Sequence, residues 1–176
     1  MGRSRPSPRR RPGFLLIEAL LTLGVIAVSL TALSAALIMI IKSNSTGEAS
    51  VVAVQLSQRM LEEIRLRRWD ENTPIPPDYT RNRSTIGRDG GAESASDKKT
   101  YNDIDDFNGW TESPPKDPYM NSLTAFSAYT TSVTVGYLNV TTLAPSATKT
   151  DFKKITVCTW RKNRKSICLD TILTNR

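Results

Sequence analysis

The stretch FLLIEALLTLGVIAVSLTALSAALIMII, residues 14–41, decides the architecture of this chain. It contains no proline, and its one charged residue is Glu18. A helix of about 20 apolar residues spans the hydrocarbon core of a bilayer, so this run is long enough to cross a membrane. It is also longer than the apolar core of about 7–15 residues found in cleavable secretory signals. The run therefore predicts a transmembrane helix.

Basic residues flank this run unequally, and their distribution predicts the orientation of the chain. Residues 1–13 are rich in Arg, Pro and Ser and hold five basic residues and no acid, whereas Lys42 alone lies at the far end of the run. The positive-inside rule keeps such an N-terminus in the cytoplasm. We expect a single-pass membrane protein whose N-terminus is cytoplasmic and whose C-terminal head lies on the other side of the membrane.

The composition excludes several classes of protein. The chain of 176 residues has no histidine and two cysteines, which excludes histidine-based nucleophile pairs, histidine metal ligands and an all-sulfur zinc site. The net charge of +7 comes largely from residues 1–13, because the remaining residues hold 19 basic and 17 acidic side chains. We expect no enzymatic activity, no catalytic residue and no cofactor, and we do not expect a nucleic-acid partner.

Beyond Lys42 the apolar residues recur every three or four positions, as they do on one face of a helix. This stripe consists of Ala49, Val52, Ala53, Leu56, Met60 and Ile64. No firm helix stop precedes residue 68, and prolines at positions 74, 76 and 77 follow it. We predict one helix over 14–68, in which a membrane part (14–41) continues as an amphipathic part (42–68).

The C-terminal region, 69–176, predicts a β-rich head with loops in 70–122. Apolar and polar residues alternate in 129–135, and two further strand patterns cover 153–161 and 166–173 around the turn 162–165. An antiparallel sheet needs an apolar partner for one face, and the helical stripe can supply it. The predicted fold class is α+β, with one long N-terminal helix packed on a sheet of three or four antiparallel strands.

Two cysteines, Cys158 and Cys168, lie on opposite arms of the predicted hairpin. A hairpin centred on Asn163 places them opposite each other, and the predicted orientation puts the head in an oxidising compartment. We favour a disulfide between them. The alternative is two buried, reduced cysteines that serve as small hydrophobic residues.

An oxygen-rich segment contains Asp103, Asp105 and Asp106, which are weak candidates for calcium ligands. The spacing does not fit an EF-hand, because the sixth position would be Asn108 and the twelfth Pro114. We favour a turn in which these carboxylates accept hydrogen bonds from nearby backbone. In that interpretation the adjacent aromatic residues pack beneath the turn, and no metal is bound.

The predicted hairpin turn is strongly basic, since Arg161, Lys162, Arg164 and Lys165 surround Asn163. A basic patch beside a tryptophan could bind single-stranded nucleic acid. We favour a solvated turn whose charges protect a sheet edge from aggregation.

The carboxylate of Glu18 needs an explanation, because an acid within a membrane helix costs about 2.5–3.5 kcal/mol on insertion scales. The residues Gly13-Phe14-Leu15-Leu16-Ile17-Glu18 follow a short basic leader. This arrangement resembles the processing motif of type IV prepilins, although the helix-kinking proline common in major pilins is absent. The resemblance implies cleavage after Gly13 by a prepilin peptidase, N-methylation of Phe14, and pairing of Glu18 with a neighbouring subunit's terminal amine. A signal anchor, a twin-arginine signal and an acid that snorkels to the interface remain alternatives.

A second resemblance involves residues 66–74, LRRWDENTP, and 101–110, YNDIDDFNGW. These segments resemble minor prepilins of the mannose-sensitive haemagglutinin (MSHA) pilus, of the MshD type. The resemblance implies a minor pilin that contacts other pilin subunits through its N-terminal helix and reaches the cell surface after assembly. A pseudopilin of a type II secretion system and a membrane-anchored binding module are the alternatives.

Overall fold

The structure is a computed structural model that describes residues 12–75 and 78–175, with side chains described from residue 16 onward. Helix α1 (Pro12–Arg65) comes first, and four strands follow: β1 (Thr111–Glu112), β2 (Tyr129–Tyr137), β3 (Phe152–Arg161) and β4 (Ile167–Thr174). Three short 3₁₀ helices lie between them, at Lys98–Thr100, Asp105–Phe107 and Thr124–Phe126. Most of the predicted leader and two of the three predicted helix-ending prolines, at positions 76 and 77, lie outside the described residues.

The chain divides into two compact units, Met1–Gly47 and Glu48–Arg176. In the first unit, the side chains of α1 from residue 16 to Ile41 are all exposed. The hydroxyl groups in this part of the helix have partners within it. Those of Thr22, Ser29, Thr31 and Ser34 each donate to a backbone carbonyl one turn back. The helix is long and apolar enough to cross a membrane.

The second unit, which we call the head, begins with the last part of α1. Five of the six stripe residues, Ala49, Ala53, Leu56, Met60 and Ile64, are buried as predicted. The predicted helix end at residue 68 is wrong by three residues. The chain leaves the helix after Arg65 through a tight turn in which the Arg67 N–H donates to the Ile64 carbonyl. This turn allows Trp69 and Asp70 to enter the core.

The four strands form one antiparallel sheet in the order β1-β2-β3-β4. The three predicted strand patterns are confirmed: β2 extends two residues and β3 one residue beyond the pattern, and β4 is shifted by one residue. The two-residue strand β1 lies in the region predicted as loops. In the β3–β4 hairpin Cys158 lies opposite Cys168. Asn163 has a positive φ of 63° at the centre of the turn, a conformation that asparagine tolerates better than most residues.

The strands lie along the head part of α1. The buried clusters show which ends of the strands lie beside which part of the helix. Ala53 and Leu56 pack with Tyr129 at the start of β2 and with Ile167 at the start of β4. One turn further along α1, Ser57 donates to the Thr159 hydroxyl over 2.8 Å. Beyond it Met60, Leu61 and Ile64 pack against the middle and far ends of the strands, at Val133, Val135, Tyr137, Ile155, Val157 and Leu173. The predicted α+β architecture is therefore confirmed, and the β3–β4 turn lies at the Ala53 end of the head.

Candidate functional site

The residues of the processing motif lie at the start of α1. The helix begins at Pro12, so Gly13 and Phe14 are helical in their backbone, and their side chains lie outside the described residues. Proline is favoured in the first turn of a helix, where its missing N–H has no helical partner to lose. Glu18 lies in the second turn of the same helix.

Glu18 is exposed and surrounded by exposed apolar side chains. Leu16, Ile17, Leu20 and Leu21 are each more than half exposed. Among the described residues, no cation forms an ion pair with Glu18. A carboxylate in an apolar helix is stabilised by a cation or a hydrogen-bond donor. Within the described part of the chain, this helix therefore presents an apolar surface and an acid without a cation.

In the head, buried Lys98 joins α1 to the sheet. Its Nζ donates to Glu63 Oε2 on α1 over 2.9 Å and lies 2.7 Å from Glu112 Oε1 on β1. All three side chains are nearly inaccessible to solvent. Glu112 also accepts from the indole of Trp110 over 3.0 Å. Removing one partner from such a buried set leaves an uncompensated charge, which is strongly destabilising.

A second buried lysine, Lys153, joins β3 to the loops that precede the sheet. Its Nζ contacts Asp70 Oδ2 at 3.0 Å and Asp105 Oδ2 at 2.7 Å, and it donates to the Trp69 carbonyl over 2.8 Å. The ammonium also lies 3.9 Å from the centre of a Trp69 ring, which adds a cation–π attraction. The Ser84 hydroxyl lies within hydrogen-bond distance of both aspartates, 3.0 Å from Asp70 Oδ2 and 2.9 Å from Asp105 Oδ2, and its one hydrogen can be donated to either.

The three calcium candidates have separate roles in this arrangement. Asp103 Oδ1 accepts from the backbone N–H groups of residues 105 and 106, and Asp106 Oδ2 accepts from those of residues 102 and 103. Asp105 is paired with Lys153. Phe107 and Trp110 are buried and pack edge-to-face on Tyr101. The favoured turn interpretation describes Asp103 and Asp106, but it did not foresee the ion pair of Asp105.

The pKa values of Asp103, Asp105 and Asp70 are shifted in different directions. Burial, together with the charges of Asp105 and Asp106, raises the pKa of Asp103 to about 8. Burial also raises the pKa of Asp105 to about 6, although Lys153 opposes the rise. At Asp70 the effect of burial is outweighed by Lys153 and by two backbone N–H groups, which hold its pKa below the usual value. Asp103 therefore holds a proton at neutral pH, whereas Asp70 is ionised.

One group of carboxylates in the described part of the chain is close enough to share a cation. Oxygen atoms of Glu71, Asp89 and Asp103 lie within 4.8 Å of one another. This group differs from the sequence candidates, since Asp105 and Asp106 are replaced by acids from two other loops. Burial and the neighbouring charge of Glu71 raise the pKa of Asp89, as expected for acids placed together.

The structure joins Cys158 and Cys168 in a disulfide, the pairing that the hairpin register favours, with their Cα atoms 4.0 Å apart. Cys158 belongs to the outward-facing residues of β3, on the opposite sheet face from buried Val157 and Thr159. The bond closes the hairpin that carries the basic turn.

Sequence reasoning missed the buried charges at Lys98, Glu63, Glu112 and Lys153. Two of them carried a signal. Lys153 has the same parity as the inward-facing Ile155 and Val157, and Glu63 lies seven residues after Leu56, on the buried stripe. Periodicity places both on apolar faces, which for a charged residue indicates a buried partner.

Comparisons with models of protein families, with curated proteins and with solved structures found no match.

Proposed function

We propose that the chain is a minor pilin, a structural subunit of a type IV filament of the MSHA kind. A prepilin peptidase would remove the leader after Gly13, and Phe14 would become the methylated N-terminus. The protein would sit in the inner membrane, with its head in the periplasm, until it joins a filament with other pilins. In this role it is a substrate of processing enzymes and has no catalytic activity of its own.

The proposal rests on the surroundings of Glu18 in α1. Its apolar side chains are exposed on all sides, and its one acid has no cation among the described residues. A lipid bilayer satisfies the apolar side chains, but it does not satisfy the carboxylate. A helix bundle formed by several subunits satisfies both, because a neighbouring N-terminal amine can pair with the acid while apolar side chains interdigitate.

The organisation of the head is consistent with a structural role. Its buried charges pair with one another in two sets, around Lys98 and Lys153, and both lysines are fully buried. Such groups fix the loops to the helix and the sheet. They are not accessible to a substrate, so we assign them to the rigidity of the head.

Processing is tested by co-expressing the full chain with a prepilin peptidase and determining the mass of its N-terminus. We expect loss of 13 residues and a methylated phenylalanine. Gly13→Val should block cleavage, because a β-branched residue restricts the backbone next to the scissile bond. The control is Gly24→Val, at a position where an added side chain meets no atom within 4 Å. An intact Met1 in the presence of active peptidase would overturn the proposal.

Assembly is tested with Glu18→Ala and Glu18→Gln in cells that make the filament. Both variants should insert into the membrane at least as well as the parent, because a buried charge is removed. Both should be depleted from sheared filaments, since neither can form an ion pair. Glu48→Ala, at an exposed position of the same helix, should be incorporated normally. Equal amounts of Glu18→Gln and parent protein in sheared filaments would refute the pairing role.

A further inference from the structure

The basic tip, which we define as residues 161–165, has a fixed place in the head. Ile167, two residues beyond it, packs against the cluster that Ala53 and Leu56 of α1 form with Tyr129. The N–H of Lys162 donates to the carbonyl of Ala128 over 3.1 Å, which ties the tip to the start of β2. The opposite ends of the strands meet Asn175 and Asp151, far from this part of the helix. The basic tip is therefore at the end of the head where the chain enters it.

Within the basic tip all of the charge is of one sign. Arg161, Lys162, Arg164 and Lys165 are all exposed. The segments that build this end of the sheet, 121–136 and 152–169, contain no acidic residue. The nearest acid along the entering helix is Glu48. The segment 122–128 beside the tip is uncharged and includes half-buried Leu123 and Phe126.

The short stretch of chain between the apolar run and the head keeps this end of the head near the membrane. Glu48, the first residue of the head, is seven positions beyond the last residue of the apolar run, Ile41. A fully extended chain covers at most about 3.6 Å per residue, so the entry of the head stays within about 25 Å of the end of the apolar run.

We propose that the basic tip binds the anionic headgroups of the membrane in which α1 is anchored. Four guanidinium and ammonium groups match the phosphates of anionic lipids, and clustered basic residues next to a membrane segment are attracted to such surfaces. Trp160 lies beside the tip, and tryptophan favours the headgroup region. The contact holds the head against the bilayer. The proposal rests on membrane anchoring and not on the pilin assignment.

A single-stranded nucleic acid fits the same surface less well. Binding of that kind uses aromatic rings exposed for base stacking, whereas Trp160 is half-buried on β3. The tip also offers one short turn and no groove along which a strand could run. Nucleic acid is therefore an alternative that the experiment must separate from lipid.

The test is trypsin cleavage of the full chain in nanodiscs, followed by reduction and mass spectrometry of the fragments. Trypsin cuts after exposed Lys and Arg, so the rate of cleavage within the basic tip measures how accessible the tip is. Zwitterionic nanodiscs are compared with nanodiscs that contain about 30 mol% phosphatidylglycerol. We expect anionic lipid to slow cleavage at the tip about fivefold or more, and salt at about 1 M to abolish the difference. The internal reference is Arg81, which follows Thr80 at the Asn175 end of the head and is exposed.

Variants and additives decide between outcomes. Lys162→Gln with Lys165→Gln keeps two cleavage sites and halves the charge, and it should lose most of the protection. The control Lys149→Gln, at an exposed residue outside the tip, should keep it. Equal cleavage of the tip in both nanodiscs would overturn the proposal. So would protection in zwitterionic nanodiscs by inorganic phosphate or by a single-stranded oligonucleotide to the same extent as by anionic lipid.

Discussion

The two parts of α1 share one helical geometry but satisfy their apolar side chains in different ways. From residue 16 to Ile41 every described side chain is exposed, whereas in 49–64 a single stripe is buried against the sheet. The apolar side chains of the first part find no partner among the described residues, whereas those of the second part pack inside the head. This difference indicates that, within α1, the stability of the head depends on the second part alone. The predictions below test which interactions stabilise the head, and one of them compares the two parts of α1 directly.

The largest expected effect is that of Lys153→Met in the head. The variant leaves Asp70 and Asp105 buried without their cation, so the free energy of unfolding should fall by about 3–5 kcal/mol. Urea denaturation of the full chain in detergent measures it. Lys154→Met is the matched control, because the Lys154–Asp170 pair is substantially exposed and such pairs contribute at most about 1 kcal/mol. A loss of similar size in both variants would contradict the ion-pair assignment. Replacing both aspartates by asparagine should restore part of the stability lost in Lys153→Met.

A smaller effect compares the two parts of α1 directly, through Ile64→Ala and Leu30→Ala. Ile64 is completely buried, and its truncation should cost about 3 kcal/mol of head stability because a cavity remains. Leu30 is 58% exposed in the chain, so its truncation should leave the unfolding of the head unchanged. Val51→Ala, exposed within the head part of the helix, should resemble Leu30→Ala. Destabilisation of the head by Leu30→Ala would show that head stability also depends on the first part of α1.

Removal of the disulfide should have the next largest effect. With Cys158→Ser and Cys168→Ser, a loop of about 10 residues is no longer closed, and the chain-entropy model assigns about 2–3 kcal/mol to that closure. Unfolding of the double variant should resemble that of the reduced parent. Alkylation of the parent without reductant should modify neither cysteine, and modification of both would show that the bond does not form.

A separate, pH-dependent effect concerns Asp103. In the folded head the pKa of Asp103 is about 8, and in an unfolded chain an aspartate has a pKa of about 3.9. The folded state therefore binds more protons between these values, so this residue makes stability fall as pH rises from 4 to 8.

Asp103→Asn removes this dependence while its side-chain oxygen can still accept the two backbone hydrogen bonds. At pH 8 the variant should be at least about 1 kcal/mol more stable than the parent. At pH 4 the two should be nearly equal. Denaturation at both pH values measures the difference, and Asp78→Asn at an exposed position serves as the control. A variant that is less stable than the parent at pH 8 would contradict the assignment of a protonated Asp103.

Much of this architecture follows from sequence periodicity. The stripe from Ala49 to Ile64, the alternation in β2 and β3 and the hairpin centre at Asn163 each reflect a repeating geometric rule, and the structure agrees with them. The helix end could not be placed to the residue, because the turn after Arg65 depends on tertiary burial of Trp69.

The buried charges of the head could not be predicted from sequence periodicity in the same way. The ion pair between Lys153 and Asp70 joins residues 83 positions apart, and no local pattern encodes that distance. Charged residues are mostly exposed in proteins, so the general expectation placed Lys98 and Glu112 on the surface. The group of Glu71, Asp89 and Asp103 likewise assembles from three separate loops.

The lengthwise contact between α1 and the sheet has a mechanical consequence. Contacts follow one another along the helix, from Ala53 with Ile167, through Ser57 with Thr159, to Ile64 in the large cluster. A tension applied at Glu48 along the strands loads all of these contacts together, in shear, instead of opening them one after another. A head pulled through α1 would therefore stay folded up to a higher force than a head whose helix is peeled sideways from the sheet.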